Sequence, residues 1–319
     1  MKDWEKEKNF VSAVVYVHDD AVRLPAFLHM LFGVLEENFL HAEIICVEDA
    51  SEDDSAAVIR QVGKEREGAQ SVSLSLLTLA SFHGVEGAMA AGVELAIGDF
   101  VFEFDSVTFD FTPETVLAVY RKALTGFDIV SAVPTGARAF SSRAFYFFFR
   151  RFARGDFGET LDTERFRILS RRAINRVAGM ARAVLYRKAA YLASGFPRAK
   201  VSYTPQATRP APVSSRQRRY RERLAVDALL LFTDAGYRVG AGLTVFMMPF
   251  AVLFACYAVA VYLTGSPVAG WTTTVCFLSF AFFALFGLLT LVMKYLQLIL
   301  SLVFRKEQIN FAGIEKLTK

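Results

Sequence analysis

The chain has 319 residues, 54% of them apolar, including 31 Phe, with a formal net charge of +4. That apolar share is too high for an ordinary soluble domain and excludes a disordered chain. The three cysteines, Cys46, Cys256 and Cys276, fit no metal-ligand spacing and read as packing residues.

The first residues, MKDWEKEKNF, are charged and contain no apolar h-region, so no signal peptide is expected. Phe10 to Val17 is a short apolar run suited to a buried strand. Residues 24–35 repeat their apolar positions at helical spacing. A second strand is expected over Glu43 to Val47 and a helix over 55–67. A third strand is expected over Val72 to Leu79 and a small-residue helix over 87–96. Phe100 to Phe104 then reads as a strand, 113–123 as a helix and Ile129 to Val133 as a fifth strand. Strands alternating with helices point to a mostly parallel α/β sheet.

Beyond this domain, 239–263 and 271–293 are free of charged residues. A helix needs about 20 apolar residues to cross the hydrocarbon core, so a two-helix transmembrane hairpin is expected within 239–304. Arg238 precedes the pair; Lys294, Arg305 and Lys306 follow it. By the positive-inside rule both ends are cytoplasmic. The expected organisation is a cytoplasmic domain over 1–210, a basic amphipathic juxtamembrane segment over 211–238, the hairpin, and a cytoplasmic tail over 305–319.

Acids gather where the strands stop. Asp19 and Asp20 follow the first strand, Glu48 and Asp49 end the second, and Asp105 ends the fourth. In open α/β sheets ligands sit at the carboxyl ends of the strands. A plainer reading is that Ser51, Asp53 and Ser55 cap the next helix. Both readings stay open from the residues alone.

The order of motifs resembles family 2 glycosyltransferases of the GT-A fold, in the branch acting on polyprenyl phosphates. The carrying stretches are VVYVHDDA, VEDASEDDS, GVEGAMAAGVELAIGDFVFEFD, ERFRILSRRAI and FGLLTLVMKYLQLIL. The resemblance implies a Rossmann-like domain that moves a sugar from a nucleotide-sugar to polyprenyl phosphate, with inversion. It implies that Asp19, Glu48, Asp49 and the main chain near Val17 line the nucleotide-sugar pocket. Asp105 would hold Mg²⁺ or Mn²⁺ against the diphosphate and act in catalysis.

The family's Asp-x-Asp reads Asp105-Ser106-Val107 here, and its second acid is absent. Glu103 shares a strand face with Asp105 by alternation and is taken as the second metal ligand. Asp110 is another substitute. Arg165 stands where the family has an acid before Phe-Arg, with Glu164 and Asp162 nearby, and Tyr16 replaces a proline in the first strand.

Arg138 and Arg143 follow the fifth strand, and Arg167 lies in the FRILSR segment with Arg171. The resemblance assigns Arg138, Arg143 and Arg167 to the acceptor phosphate, with Arg138 also catalytic, because arginine grips phosphate through forked donors. Ser141 to Gly155 and Ser215 to Phe232 mix aromatic or apolar residues with arginines, as suits a membrane interface. His18 and His83 receive no catalytic role. The expected partners are a nucleotide-sugar, polyprenyl phosphate and membrane lipids, without nucleic acid; homo-oligomerisation is compatible with the sequence. The expected location is a membrane, bacterial and inner, crossed twice. Two other readings stand beside this one: a degenerate membrane protein that binds without catalysis, and a transferase for another lipid or glycan acceptor.

Overall fold

The computed structural model describes residues 6–66, 71–135, 164–180, 187–206 and 311–318, with isolated positions between 216 and 299. The chain divides into two compact units. The first comprises 1–144, 160–224 and 307–319; the second comprises 145–159 and 225–306.

The first unit is an eight-stranded sheet. Its strands are β1 (Val11–Val17), β2 (Ala42–Glu48), β3 (Val72–Leu79), β4 (Phe100–Phe104), β5 (Ile129–Pro134), β6 (Phe166–Ser170), β7 (Arg198–Tyr203) and β8 (Phe311–Lys316). The helices are α1 (Leu24–Asn38), α2 (Ser55–Glu65), α3 (Gly84–Leu95), α4 (Pro113–Leu124), α5 (Arg171–Met180) and α6 (Arg187–Ala193). The spatial order is β7-β5-β6-β4-β1-β2-β3-β8. Strands β4, β1, β2 and β3 are parallel, whereas β6 runs against both β4 and β5 and β8 runs against β3.

Every residue of β1 and β2 is buried. Central parallel strands covered on both faces read as continuous apolar runs, which these do. On one face, Phe27, Leu31 and Phe32 of α1 pack with Phe102, Phe104 and Phe166; on the other, Ala88 and Met89 of α3 pack with Val14, Tyr16, Ile45 and Val47. Burying one such large side chain contributes roughly 1.5–3 kcal/mol. Gly92 lets α3 approach the sheet: a Cβ there would lie 2.4 Å from Val14 Cγ1 and 2.6 Å from Val47 Cγ2.

The five expected strands and four expected helices are present, with shifts at their ends. Helix α3 begins at Gly84 rather than at 87, and α1 runs on to Asn38. Strands β6, β7 and β8 were not expected. The segment read as a tail supplies β8, whose register runs from Ser75↔Lys316 to Leu79↔Phe311. Leu317 seats its Cβ against Gly63, and the Leu74 N–H donates to Thr318 Oγ1 at 2.7 Å. Strand β8 therefore covers an edge of β3 that would otherwise present unpaired main-chain groups.

No helix among the described residues is long and apolar enough to cross a membrane. Most of 239–304, where the hairpin was expected, lies outside the described residues. In the second unit the described positions from 274 to 299 are helical, and Leu278, Leu285, Leu289, Val292, Leu296 and Ile299 are about half exposed. Their steps of seven, four, three, four and three residues place them on one helix face.

Candidate active site

The carboxyl ends of β1, β2 and β4 form one rim, as the sequence indicated. Register pairs Val17 with Glu48 and Val15 with Phe104, so His18, Asp49 and Asp105 leave the sheet close together. The rim holds two charge clusters with different surroundings.

The first cluster ties the loop after β1 to the loop after β2. Asp49 is wholly buried. Its carboxylate accepts from the main-chain N–H of His83 at 2.7 Å, from that of Gly84 at 2.8 Å and from the Tyr16 hydroxyl at 3.1 Å. Burial pushes the Asp49 carboxyl above its ordinary value, and these donors restrain the rise. Tyr16, which stands where the family has proline, serves this carboxylate. The Val17 carbonyl accepts the Asp49 N–H, and His18 Nδ1 donates to the Asp49 carbonyl at 2.8 Å. Asp49 and Val17 are thus engaged inside the fold.

Asp19 accepts the Glu52 N–H at 2.8 Å, and Glu48 accepts the Ser51 N–H at 2.5 Å. Asp53 accepts the N–H groups of Ala21 and Ser55. These acids satisfy main-chain donors of the two loops. Of the expected caps only Asp53 accepts an N–H of α2, while the Ser51 and Ser55 hydroxyls accept the N–H groups of Asp19 and Asp20, and the N-cap Asp54 makes no side-chain cap. Asp19 and Ala50 both have positive φ, 53° and 49°. Such strain in non-glycine residues persists only where surrounding bonds hold it, and it collects at functional sites. Of the nucleotide-pocket residues expected from the sequence, Asp19 keeps a side chain 30% exposed.

The second cluster surrounds Asp105. Antiparallel pairing of β4 with β6 sets Glu103 opposite Arg167. Arg167 donates to Glu103 at 3.0 Å and to Asp105 at 2.9 Å, and its Nε lies 3.0 Å from Glu164. Arg187, at the start of α6, donates to Glu86 at 3.0 Å and to Asp105 at 2.6 Å, with Nη1 2.8 Å from Glu103. The Tyr191 hydroxyl donates to Glu103 at 2.5 Å. Arg167, Arg187, Glu103, Glu86 and Tyr191 are all buried, whereas the Asp105 side chain is 27% exposed.

Alternation does bring Glu103 and Asp105 together, but guanidinium groups hold them. Glu103, expected as the second ligand of Mg²⁺ or Mn²⁺, is completely buried and bound to two arginines and a tyrosine. Val107, in place of the second acid, lies in the apolar core. Burial would raise the Asp105 carboxyl, but Arg187, Arg167 and Lys188 hold it well below the ordinary carboxylate value. Among the described residues no three His, Cys, Asp or Glu side chains group to hold a metal ion. This donor set does not fit a divalent cation.

Asp110, the other substitute acid, accepts a forked pair from Arg165 at 3.0 and 2.5 Å and the Tyr203 hydroxyl at 2.7 Å. The unexpected arginine and the misplaced acid therefore satisfy each other. Arg171 donates to the carbonyls of Ala96 and Gly98 at the end of α3. Arg138 and Arg143 lie outside the described residues.

A cavity of about 310 Å³ opens beside Arg167, lined also by Ser131, Glu164, Lys188, Arg198 and Lys200. Sequence reasoning missed Arg187, Tyr191 and Lys188. Their segment, RKAAYLA, matches no motif. Its one signal is an arginine opening an apolar helical stretch.

The profile described as "Glycosyl transferase family 2" matches residues 12–178. The chain belongs to glycosyl transferase family 2. Among curated relatives, the undecaprenyl-phosphate 4-deoxy-4-formamido-L-arabinose transferase of Aeromonas hydrophila is 29% identical over 123 residues, covering 39% of this chain and 36% of the relative. The protein of that name from Pseudomonas aeruginosa is 30% identical over 125 residues, covering 39% and 35%. The matched part spans about a third of these relatives' length. Among solved structures, glucosyl-3-phosphoglycerate synthase from Mycobacterium tuberculosis with Mn²⁺, UDP and phosphoglyceric acid superposes with a TM-score of 0.50. It is 14% identical and covers 70% of this chain and 78% of its own. That likeness shows the GT-A fold.

Proposed function

We propose that this family 2 transferase moves one sugar from a UDP- or GDP-type nucleotide-sugar to polyprenyl phosphate at the cytoplasmic face of a bacterial inner membrane. The observation that carries the reading is the position of Arg167. It binds Asp105 on the strand-end rim and also lines the basic cavity. A rim acid beside a cavity bordered by Lys188, Arg198 and Lys200 suits a donor next to an anionic acceptor. The names of the curated relatives, which include undecaprenyl phosphate, support this acceptor class.

In the proposed reaction an acceptor phosphate oxygen attacks the anomeric carbon, and the bond to the nucleoside diphosphate breaks. A phosphate is already an anion at neutral pH, so no strong general base is needed. Asp19 and the loops tied through Glu48 and Asp49 would shape the donor pocket. Arg167, with Arg138 and Arg143, would meet the acceptor. The exposed stripe from Leu278 to Ile299 and the uncharged runs at 239–263 and 271–293 support a two-span hairpin facing lipid.

The test is incubation of the full-length chain with radiolabelled nucleotide-sugars and polyprenyl phosphate. Label should enter the organic phase, and its absence with every donor would overturn the reading. One observation favours a second reading: Val107 and the enclosed Glu103 leave Asp105 as the rim acid of its cluster. A membrane-bound binding module would then bind nucleotide without transferring sugar.

A further inference from the structure

The two rim clusters meet at the first turn of α3. The N–H groups of His83 and Gly84 hold the Asp49 carboxylate, while the Glu86 carboxylate holds Arg187, which donates to Asp105. Tyr220, from the stretch that precedes the uncharged run at 239–263, sits on this turn. Its ring lies where a Cβ on Gly84 would come within 2.3 Å, its hydroxyl accepts the Glu86 N–H at 3.4 Å, and it meets the Phe82 ring edge-on at 5.8 Å. Phe82 packs in turn on His18, whose Nδ1 donates to the Asp49 carbonyl. The described positions from 216 to 224 are helical. Gln217, Tyr220 and Leu224 are half-buried, whereas Arg216, Arg219 and Arg223 are exposed. Steps of three and four residues put each trio on its own helix face. Residues 216–223 hold five arginines and one acid. Among the described residues Arg219 and Arg223 form no ion pair.

Like charges three and four positions apart on a helix repel and destabilise it. Arg216, Arg219 and Arg223 stand at those intervals. A lipid surface carrying negative charge offsets that repulsion, because its potential attracts basic residues beside it; neutral lipid does not. We propose that the arginine face at 216–224 binds an anionic lipid surface, and that Tyr220 on the docked face transmits this binding to the first turn of α3. That turn holds Asp49 directly and Asp105 through Glu86 and Arg187, so the lipid surface steadies both acids of the rim. A bilayer is the fitting occupant because the chain leaves the first unit at Leu224 and enters a charge-free run at 239. The inference rests on the membrane placement in the functional reading above. Tyr220 acts as a positioning residue, through its contacts with Phe82, Gly84 and the Glu86 N–H.

The experiment places the full-length chain in nanodiscs of phosphatidylcholine, with or without an equal part of phosphatidylglycerol. Hydrogen–deuterium exchange is followed in the peptides covering 82–89 and 216–224. Anionic lipid should slow exchange in both peptides by roughly fivefold or more, the scale of one arginine near a charged surface. Equal exchange in the two discs would overturn the proposal. So would equal slowing by soluble polyphosphate added to neutral discs, which would make a free polyanion the partner. Joint replacement Arg219→Gln and Arg223→Gln should abolish the lipid effect on both peptides. In Tyr220→Leu the effect should vanish over 82–89 and persist over 216–224; its survival over 82–89 would overturn the role of Tyr220 as the link. If that variant does not fold, the wild-type comparison of the two lipids still decides. Slowed exchange without transfer of label from any donor would leave the inference standing and overturn the transferase reading. A folded chain that enters neither disc would overturn the membrane placement, and the inference with it.

Discussion

Arg167 and Glu103 face each other across β4 and β6 at 3.0 Å, an ion pair with both partners fully enclosed. Breaking a buried pair by neutralising one member leaves the other charge uncompensated, at a cost of about 3–5 kcal/mol. Glu103→Gln should therefore lower the thermal unfolding midpoint by many degrees. An unchanged midpoint would show that Glu103 is not a structural anchor.

Asp105 differs from Glu103 in reaching solvent. Asp105→Asn keeps the shape and removes the charge at the rim. Transfer of labelled sugar should fall by about 100-fold or more, the scale of losing one electrostatic contact in an active site. Full activity in this variant would remove Asp105 from the catalytic centre.

Gly84 has φ of +76°, and a Cβ there would lie 2.3 Å from the Tyr220 ring. Its N–H also donates to Asp49. Gly84→Ala should cost at least about 1–2 kcal/mol, the cost of the left-handed conformation for an L-residue. Chemical denaturation would measure it. Tyr220→Ala, by removing the ring, should restore only part of the loss in the double variant, because the backbone strain remains.

Burial would raise the Asp110 carboxyl, but Arg165 and Tyr203 hold it below its ordinary value of 3.8. The unfolded chain therefore takes up a proton at higher pH than the folded chain does. The stabilisation is fully present above the ordinary value and fades as pH falls through the lower, folded one. The unfolding midpoint measured from pH 6 down to 3 should drop less steeply in Asp110→Asn than in the wild type. Parallel curves would count against this linkage.

Removal of 311–319 should destabilise the first unit and promote aggregation through the bared β3 edge. The exposed Arg60–Glu315 pair, at 2.7 Å, should contribute at most about 1 kcal/mol of this. Light scattering and unfolding of the truncated chain, against Arg60→Ala, would separate the ladder from the ion pair. A truncation no worse than Arg60→Ala would assign β8 no structural role.

The central strands were legible because a buried strand leaves an unbroken apolar run, as in Val11–Val17. Asp49 was legible as an acid at the end of such a run, although its carboxylate proves to bind main-chain donors. Asp105 and Glu103 were correctly placed on one face by alternation. Their neighbours were not foreseeable: Arg187 is 82 positions from Asp105, and only the docking of α6 brings them together. Strand β6 was not read from FRILS, which stood only as a motif segment, since antiparallel insertion between β4 and β5 leaves no local mark. The sequence FAGIEK, likewise, has little strand character of its own and is extended by the edge it joins.

Strand β8 also constrains the route of the intervening chain. Its hydrogen bonds to β3 place the C-terminal residues in the same aqueous compartment as the N-terminal strands. The polypeptide leaves the first unit after Leu224 and rejoins it at Glu307. Any passages through a bilayer between those points must therefore be even in number. A reporter fused after Lys319 would sample the same solvent that reaches Asp105.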